Sequence, residues 1–179
     1  GFAELLIEED VDDETKEQYL EIIAEEANRL AKMADTTILL SKLNNQTIVT
    51  DKEFFSLDEQ IRKCSILFLQ QATDKEIEFE VNLADCQYKG NQNLMEHIWI
   101  NLLNNAFKFT PQKGKVTIDL TEEVDKLVIT IADSGVGMSE EVQKSIFNQY
   151  YQGNTIEARQ GLGLGLAIVE KIILLCEGN

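Results

Sequence analysis

The amino-acid sequence predicts an α+β protein, a long helical segment followed by an α/β sandwich. Three observations predict it. An uninterrupted N-terminal run carries an apolar stripe at 3-4-3-4 spacing, two later segments alternate in period two, and glycines gather in the last third.

From Glu14 to Leu43 neither Gly nor Pro intervenes, and Leu20, Ile23, Ala27, Leu30 and Ala34 form the seam of a coiled coil or bundle. One helix cannot bury such a seam alone, so self-association is expected over packing on its own domain. Gly1 to Ile7 reads as the tail of a helix, ended by the acidic stretch from Glu8 to Asp13. Asn44 to Thr47 reads as a linker, which divides the chain into 1–46 and 47–179.

After the linker the pattern is mixed. Phe54-Phe55 is a short strand, and Ser56 with Glu59 predicts a capping box opening a helix to about Ala72. Glu76 to Val81 alternates as a strand with one buried face. A helix is expected from Asn93 to Phe107, with Leu94, Ile98, Leu102 and Ala106 inward and Pro111 after its end. Val116, Ile118, Leu120 and then Leu127, Ile129, Ile131 alternate around a turn at Glu122 to Asp125, a β-hairpin. Ser139 caps a short helix, and Leu162 to Leu175 reads as a last amphipathic one.

Composition excludes several classes of function. Against 16 Lys and Arg stand 32 Asp and Glu, a net charge of −16. No basic cluster offers phosphate contacts to a nucleic acid, and an anionic membrane surface would repel the chain. No uncharged apolar run approaches the ~20 residues needed to span a bilayer, and no signal-peptide pattern is expected at the start. Cys64, Cys86 and Cys176 are odd in number and far apart, and read as reduced, buried small hydrophobes.

Three segments carry chemistry. Asn101, Asn105 and Lys108 share a face of one helix. Asparagines cost helix stability, an amide oxygen is a hard ligand suited to Mg²⁺, and lysine offers charge to phosphate; the plain alternative is a solvated polar face. Asp133 ends a hairpin strand before Gly135-Val136-Gly137. There a buried carboxylate could accept a hydrogen bond from an exocyclic amine, or the segment is a simple turn. Six of the ten glycines lie from Gly135 to Gly165. Gly161, Gly163 and Gly165 surround Leu162 and Leu164 at the start of a helix, where open backbone amides favour an anion, or where the chain simply hinges. The spacing is neither that of a P-loop nor that of a dinucleotide fingerprint.

In this order the segments resemble the N, G1, F and G2 boxes of the ATP-binding domain of sensor histidine kinases, with Phe147 and Tyr150 at the F box. The implied fold is the gyrase, chaperone and histidine-kinase ATPase type, preceded by the remnant of a helical dimerisation hairpin. The resemblance implies that Asn105 ligates Mg²⁺, that Asp133 beside Gly135 and Gly137 reads adenine, and that Asn101 and Lys108 reach the phosphates of ATP. Gly161, Gly163, Leu164 and Gly165 would cradle those phosphates. Gln152 stands where the family commonly has arginine, which leaves Arg159 as the lid's candidate for the γ-phosphate, and Leu162 stands where threonine is common.

By the same likeness the phosphoacceptor His-Glu motif would precede Gly1, further strands would follow Asn179, and the dimerisation region would occupy 1–46. The sole histidine, His97, falls on the nucleotide helix and reads as a partly packed helix residue. The implied reaction moves the γ-phosphoryl of Mg·ATP to histidine, for relay to an aspartate of a response regulator. Gyrase-type relatives place a glutamate base four residues before the Mg²⁺ asparagine; here Asn101, without useful basicity, suits a kinase that spares its ATP from water. An idle nucleotide-binding dimerisation module and an anti-sigma-type serine kinase are the rival readings. Expected partners are a response regulator and a second copy of the chain, with no nucleic acid and no direct membrane contact. The expected location is cytoplasmic, within a parent protein compatible with an anchor in the bacterial inner membrane.

Overall fold

The computed structural model describes residues 1, 5–6, 12–152, 162–176 and 178. The chain divides into two compact units, Gly1–Lys42 and Leu43–Asn179.

In the first unit Leu5 and Leu6 are helical, and the rest of the expected helical tail lies outside the described residues. Helix α1 (Asp13–Asn45) starts at a built cap: the carboxylate of Asp12 accepts from the Thr15 amide and hydroxyl, both at 2.9 Å. Those bonds, the amide's first, hold the Asp12 carboxyl below its ordinary range. Leu20 and Leu30 of the 3-4-3-4 stripe are 58 % and 61 % exposed, so this helix does not bury its own seam.

The second unit holds two small sheets. Strands β1 (Glu53–Ser56) and β3 (Gln87–Gly90) pair antiparallel, with Phe55 opposite Tyr88 and their rings edge to face at 5.9 Å. In the other sheet, β2 (Glu78–Leu83) lies parallel to β4 (Lys115–Glu123), which pairs antiparallel with β5 (Lys126–Asp133) in the order β2-β4-β5. Val116, Ile118 and Leu120 of β4 point into the core, as their alternation predicts.

Helices cover this sheet. The predicted helix after Ser56 is two helices, α2 (Leu57–Ile66) and α3 (Leu69–Asp74). The break lets Phe68 turn inward and stack on Phe107 at 5.2 Å, while Phe79 of β2 meets the same ring edge-on at 4.9 Å. Ser56 makes no capping box: its hydroxyl accepts instead from Gln87 Nε2 at 2.7 Å, across the β1–β3 pair. Strand β2 begins two residues later than its pattern suggests, because Glu76 adopts a left-handed φ of 53°.

Helix α4 (Gln92–Phe109) is capped by Asn91, whose side chain accepts from the Leu94 amide at 3.0 Å. Its inward side is Met95, Ile98, Trp99, Leu103, Ala106 and Phe107. Leu94 and Leu102, expected inside, are only half-buried, because the aromatic Trp99 and Phe107 set the rotation of the helix. Trp99 Nε1 donates to Gln60 Oε1 at 3.0 Å, and Gln60 Nε2 donates to the Gln92 carbonyl at 2.6 Å, which joins α2 to α4. Ser139 caps α5 (Glu140–Ser145) as predicted. Helix α6 (Gly165–Leu175) packs against α4, buries Ala167, Ile168, Val169 and Ile172, and starts later than Leu162, because Gly163 has a φ of 66°. No helix among the described residues is long and apolar enough to cross a membrane.

Leu103 is fully buried, so Leu103→Ala is expected to cost about 2–5 kcal/mol in urea unfolding. Burial pushes the Cys64 thiol up to about 11, with Glu96 adding to it. Cys64 should therefore react slowly with Ellman's reagent at pH 8 in the folded chain and readily once urea unfolds it, as timed titrations of the chain and of Cys64→Ser, compared to subtract Cys86 and Cys176, will show.

Candidate functional site

Helix α4 organises the site. Asn101, Asn105 and Phe109 recur every four residues and so lie on one stripe, spanning about 12 Å at 1.5 Å per residue. A glycine from elsewhere in the chain closes on each end of that stripe.

At one end stands Gly165, the first residue of α6. A Cβ there would lie 2.5 Å from Asn101 Oδ1, so a larger residue would push the Asn101 amide from its place. Asn101 Nδ2 in turn donates to the His97 carbonyl at 2.7 Å, which fixes the amide with its oxygen toward the start of α6. Among the described residues that helix start has no side-chain cap, and it is the positive end of the helix. Leu164 buries its side chain (2 % exposed) and offers only its backbone there.

At the other end stands Gly135. A Cβ on it would lie 2.6 Å from the Phe109 carbonyl oxygen and 2.6 Å from Asp133 Oδ1. The Gly135 amide donates to Asp133 Oδ1 at 2.8 Å, an Asx-type turn that fixes the carboxylate. The carboxylate expected to be buried is in fact exposed, because β5 ends at Asp133 and described residues 134–141 stay near the surface. Gly137 has a φ of 66° with open space around it. Asn105, midway along the stripe, is half-buried, and so is Lys108, whose Nζ sits 5.1 Å from the Phe109 ring centroid.

Tyr150, at a φ of 64°, donates its amide to the Gly163 carbonyl at 2.9 Å, and a Cβ on Gly163 would strike the Tyr151 carbonyl. Tyr150 and Tyr151 are thus held against Gly163 by backbone contact. Arg159 and Gly161 lie outside the described residues.

Two residues that position these parts are silent in the sequence pattern. The Ser134 hydroxyl accepts from the Lys115 amide at 2.8 Å and its amide donates to the Lys115 carbonyl at 2.9 Å, which ties the turn after β5 to the start of β4. Lys75 reaches the C-terminal carbonyls of α4. Neither lies in a glycine cluster or at helix spacing from the asparagines. A shallow cleft at the β1–β3 end gathers Asp58, Glu59 and Asp85, which suits no anion. Among the described residues no cluster of three or more His, Cys, Asp or Glu could hold a metal.

Residues 90–179 match the family described as histidine kinase-, DNA gyrase B- and HSP90-like ATPases. The chain is 30% identical over 155 residues to the heme sensor protein HssS of Staphylococcus saprophyticus, covering 87% of this chain and 34% of that protein. It is 29% identical over 164 residues to the sensor histidine kinase RppB of Synechocystis, covering 89% of this chain and 36% of that one. It thus spans about a third of the length of these curated relatives. Among solved structures, histidine kinase ThkA in complex with the response regulator protein TrrA superposes with a TM-score of 0.76 at 25% identity, covering 99% of this chain and 50% of that one. The α4 asparagines, the Asp133 turn and the glycine-opened α6 fall within the matched residues; the chain belongs to the histidine kinase-, DNA gyrase B- and HSP90-like ATPases and matches the ATPase domain of sensor histidine kinases.

Proposed function

We propose that this chain binds Mg·ATP and supplies the catalytic part of a protein-histidine kinase. One observation carries the reading: Gly165 and Gly135 close on Asn101 and Phe109, with Asn105 between them on the same helical stripe. That spacing suits a nucleotide laid along α4, base toward Asp133 and phosphates toward α6.

The residue roles follow from chemistry. Asp133 is an exposed acceptor beside a backbone turn, suited to the N6 amine of adenine, with Gly135 and Gly137 keeping side chains away from the base. The Asn105 amide oxygen is a hard, neutral donor fit for Mg²⁺, which when bound neutralises phosphate charge. Asn101 and Lys108 face the phosphates, and the open amides of Gly163, Leu164 and Gly165 cradle them, with Gly161 and Arg159 completing the lid. Asn101 cannot activate water, so the γ-phosphoryl is kept for a histidine nucleophile. In this reading 47–179 is the ATP-binding domain and 1–46 the dimerisation region. The exposed stripe of Leu20 and Leu30 meets a second copy, the phosphoacceptor histidine stands on a dimerisation helix, and the phosphoryl passes to a response-regulator aspartate. The portion lies on the cytoplasmic side of a kinase anchored in the bacterial inner membrane.

Titration calorimetry should find micromolar Mg·ATP affinity in the chain and none in Asp133→Asn; equal affinity in that variant removes the adenine assignment. Incubated with γ-labelled ATP, the chain alone should stay unlabelled while a separate dimerisation helix carrying its histidine accepts label. Label on His97 would overturn this.

A further inference from the structure

The C-terminus of α4 is held by its C-cap Thr110, whose hydroxyl donates to the Ala106 carbonyl at 2.7 Å, and by one described side chain distant in sequence. Lys75 Nζ lies 2.7 Å from the Phe107 carbonyl, 3.1 Å from that of Thr110 and 3.4 Å from that of Lys108. A helix end leaves its last carbonyls without intrahelical partners, and an ammonium has three N–H donors and no acceptor. Donor and acceptor numbers match, and the positive charge meets the negative end of the helix.

The backbone of Lys75 belongs to the same joint. It caps α3, its amide donating to the Gln71 carbonyl at 3.1 Å, while its own carbonyl accepts from the Lys113 amide at 2.9 Å. The residue therefore grips both the end of α4 and the loop that leads into β4. The Phe109 carbonyl is not among its acceptors; it is the atom against which Gly135 closes. Displacing the last turn of α4 would displace Phe109, and with it the turn that fixes the Asp133 carboxylate.

We propose that Lys75 is a positioning residue for the nucleotide site, holding the last turn of α4 so that Asn105 and Lys108 keep their register with the Asp133–Gly135 turn. The inference rests on the nucleotide reading above and deepens it. In a chain with a net charge of −16, an anionic ligand also gains from cancellation of the negative helix end. The ammonium acts through backbone carbonyls and touches no ligand.

The test compares the full chain with Lys75→Met and Lys75→Arg, each at a temperature where circular dichroism gives equal folded fractions. Calorimetry with Mg·ATP should show roughly tenfold weaker binding in Lys75→Met, the scale typical of groups that orient a binding site from behind. Most of the affinity should return in Lys75→Arg, whose fork still donates to two carbonyls. In the ligand-free proteins the Gly135 amide resonance should move in Lys75→Met while that of Gly90 stays. Parent-like affinity in Lys75→Met, with only a lowered melting temperature, overturns the proposal, as does an unmoved Gly135 amide. Should Lys75→Met not fold, Lys75→Gln takes its place with the same two outcomes. If the parent chain itself fails to bind Mg·ATP while the Gly135 amide still moves, the nucleotide reading falls and the mechanical link stands.

Discussion

Close backbone approach to helix α4 is the constraint on which the rest of the second unit depends. At Phe109 another part of the chain comes nearer to backbone than a side chain would allow, at Asn101 the start of α6 sits against the side-chain amide, and each time the approaching residue is glycine. These two contacts set where α6 begins and where β5 hands over to its turn. They also leave Asn105 on the stripe between two backbone-rich ends. Backbone groups can line a site only where the chain packs this densely, because side chains would otherwise fill the space.

The aromatic packing under α4 makes that approach possible. Phe107 lies between the rings of Phe68 and Phe79, and Trp99 is pinned by Gln60, so the inward side of the helix is locked to α2 and β2. A helix gripped on its core side has a defined rotation, and the polar stripe opposite inherits it. The half-buried state of Leu94 and Leu102 follows from the same grip. The core here positions function as much as it stabilises the fold.

Much of this was legible in the sequence. The hairpin partners appeared in the alternation of Val116–Leu120 and Leu127–Ile131, and the sequence grouped asparagines, Asp133 and glycines as the candidate site. Less was legible where a long-range contact overrides a local pattern. Ser56 has capping-box chemistry, yet Gln87 recruits its hydroxyl. The run after Ser56 has no local helix breaker, yet Phe68 is worth more in the core than one more helical turn. Strand β3 is four residues with little alternation of its own, and exists because β1 offers it a ladder.

Periodicity, glycine placement and residue chemistry are properties of the chain itself, so the sequence alone determined the α+β class, the candidate binding residues and the mixed sheet's hairpin. Which atoms lie against which was decided only by the tertiary structure. The exposure of Asp133, the approach of Gly165 to Asn101 and the reach of Lys75 to three carbonyls depend on residues up to 64 positions apart. No window of sequence encodes such distances, because they come from helices and strands settling against one another after each has formed.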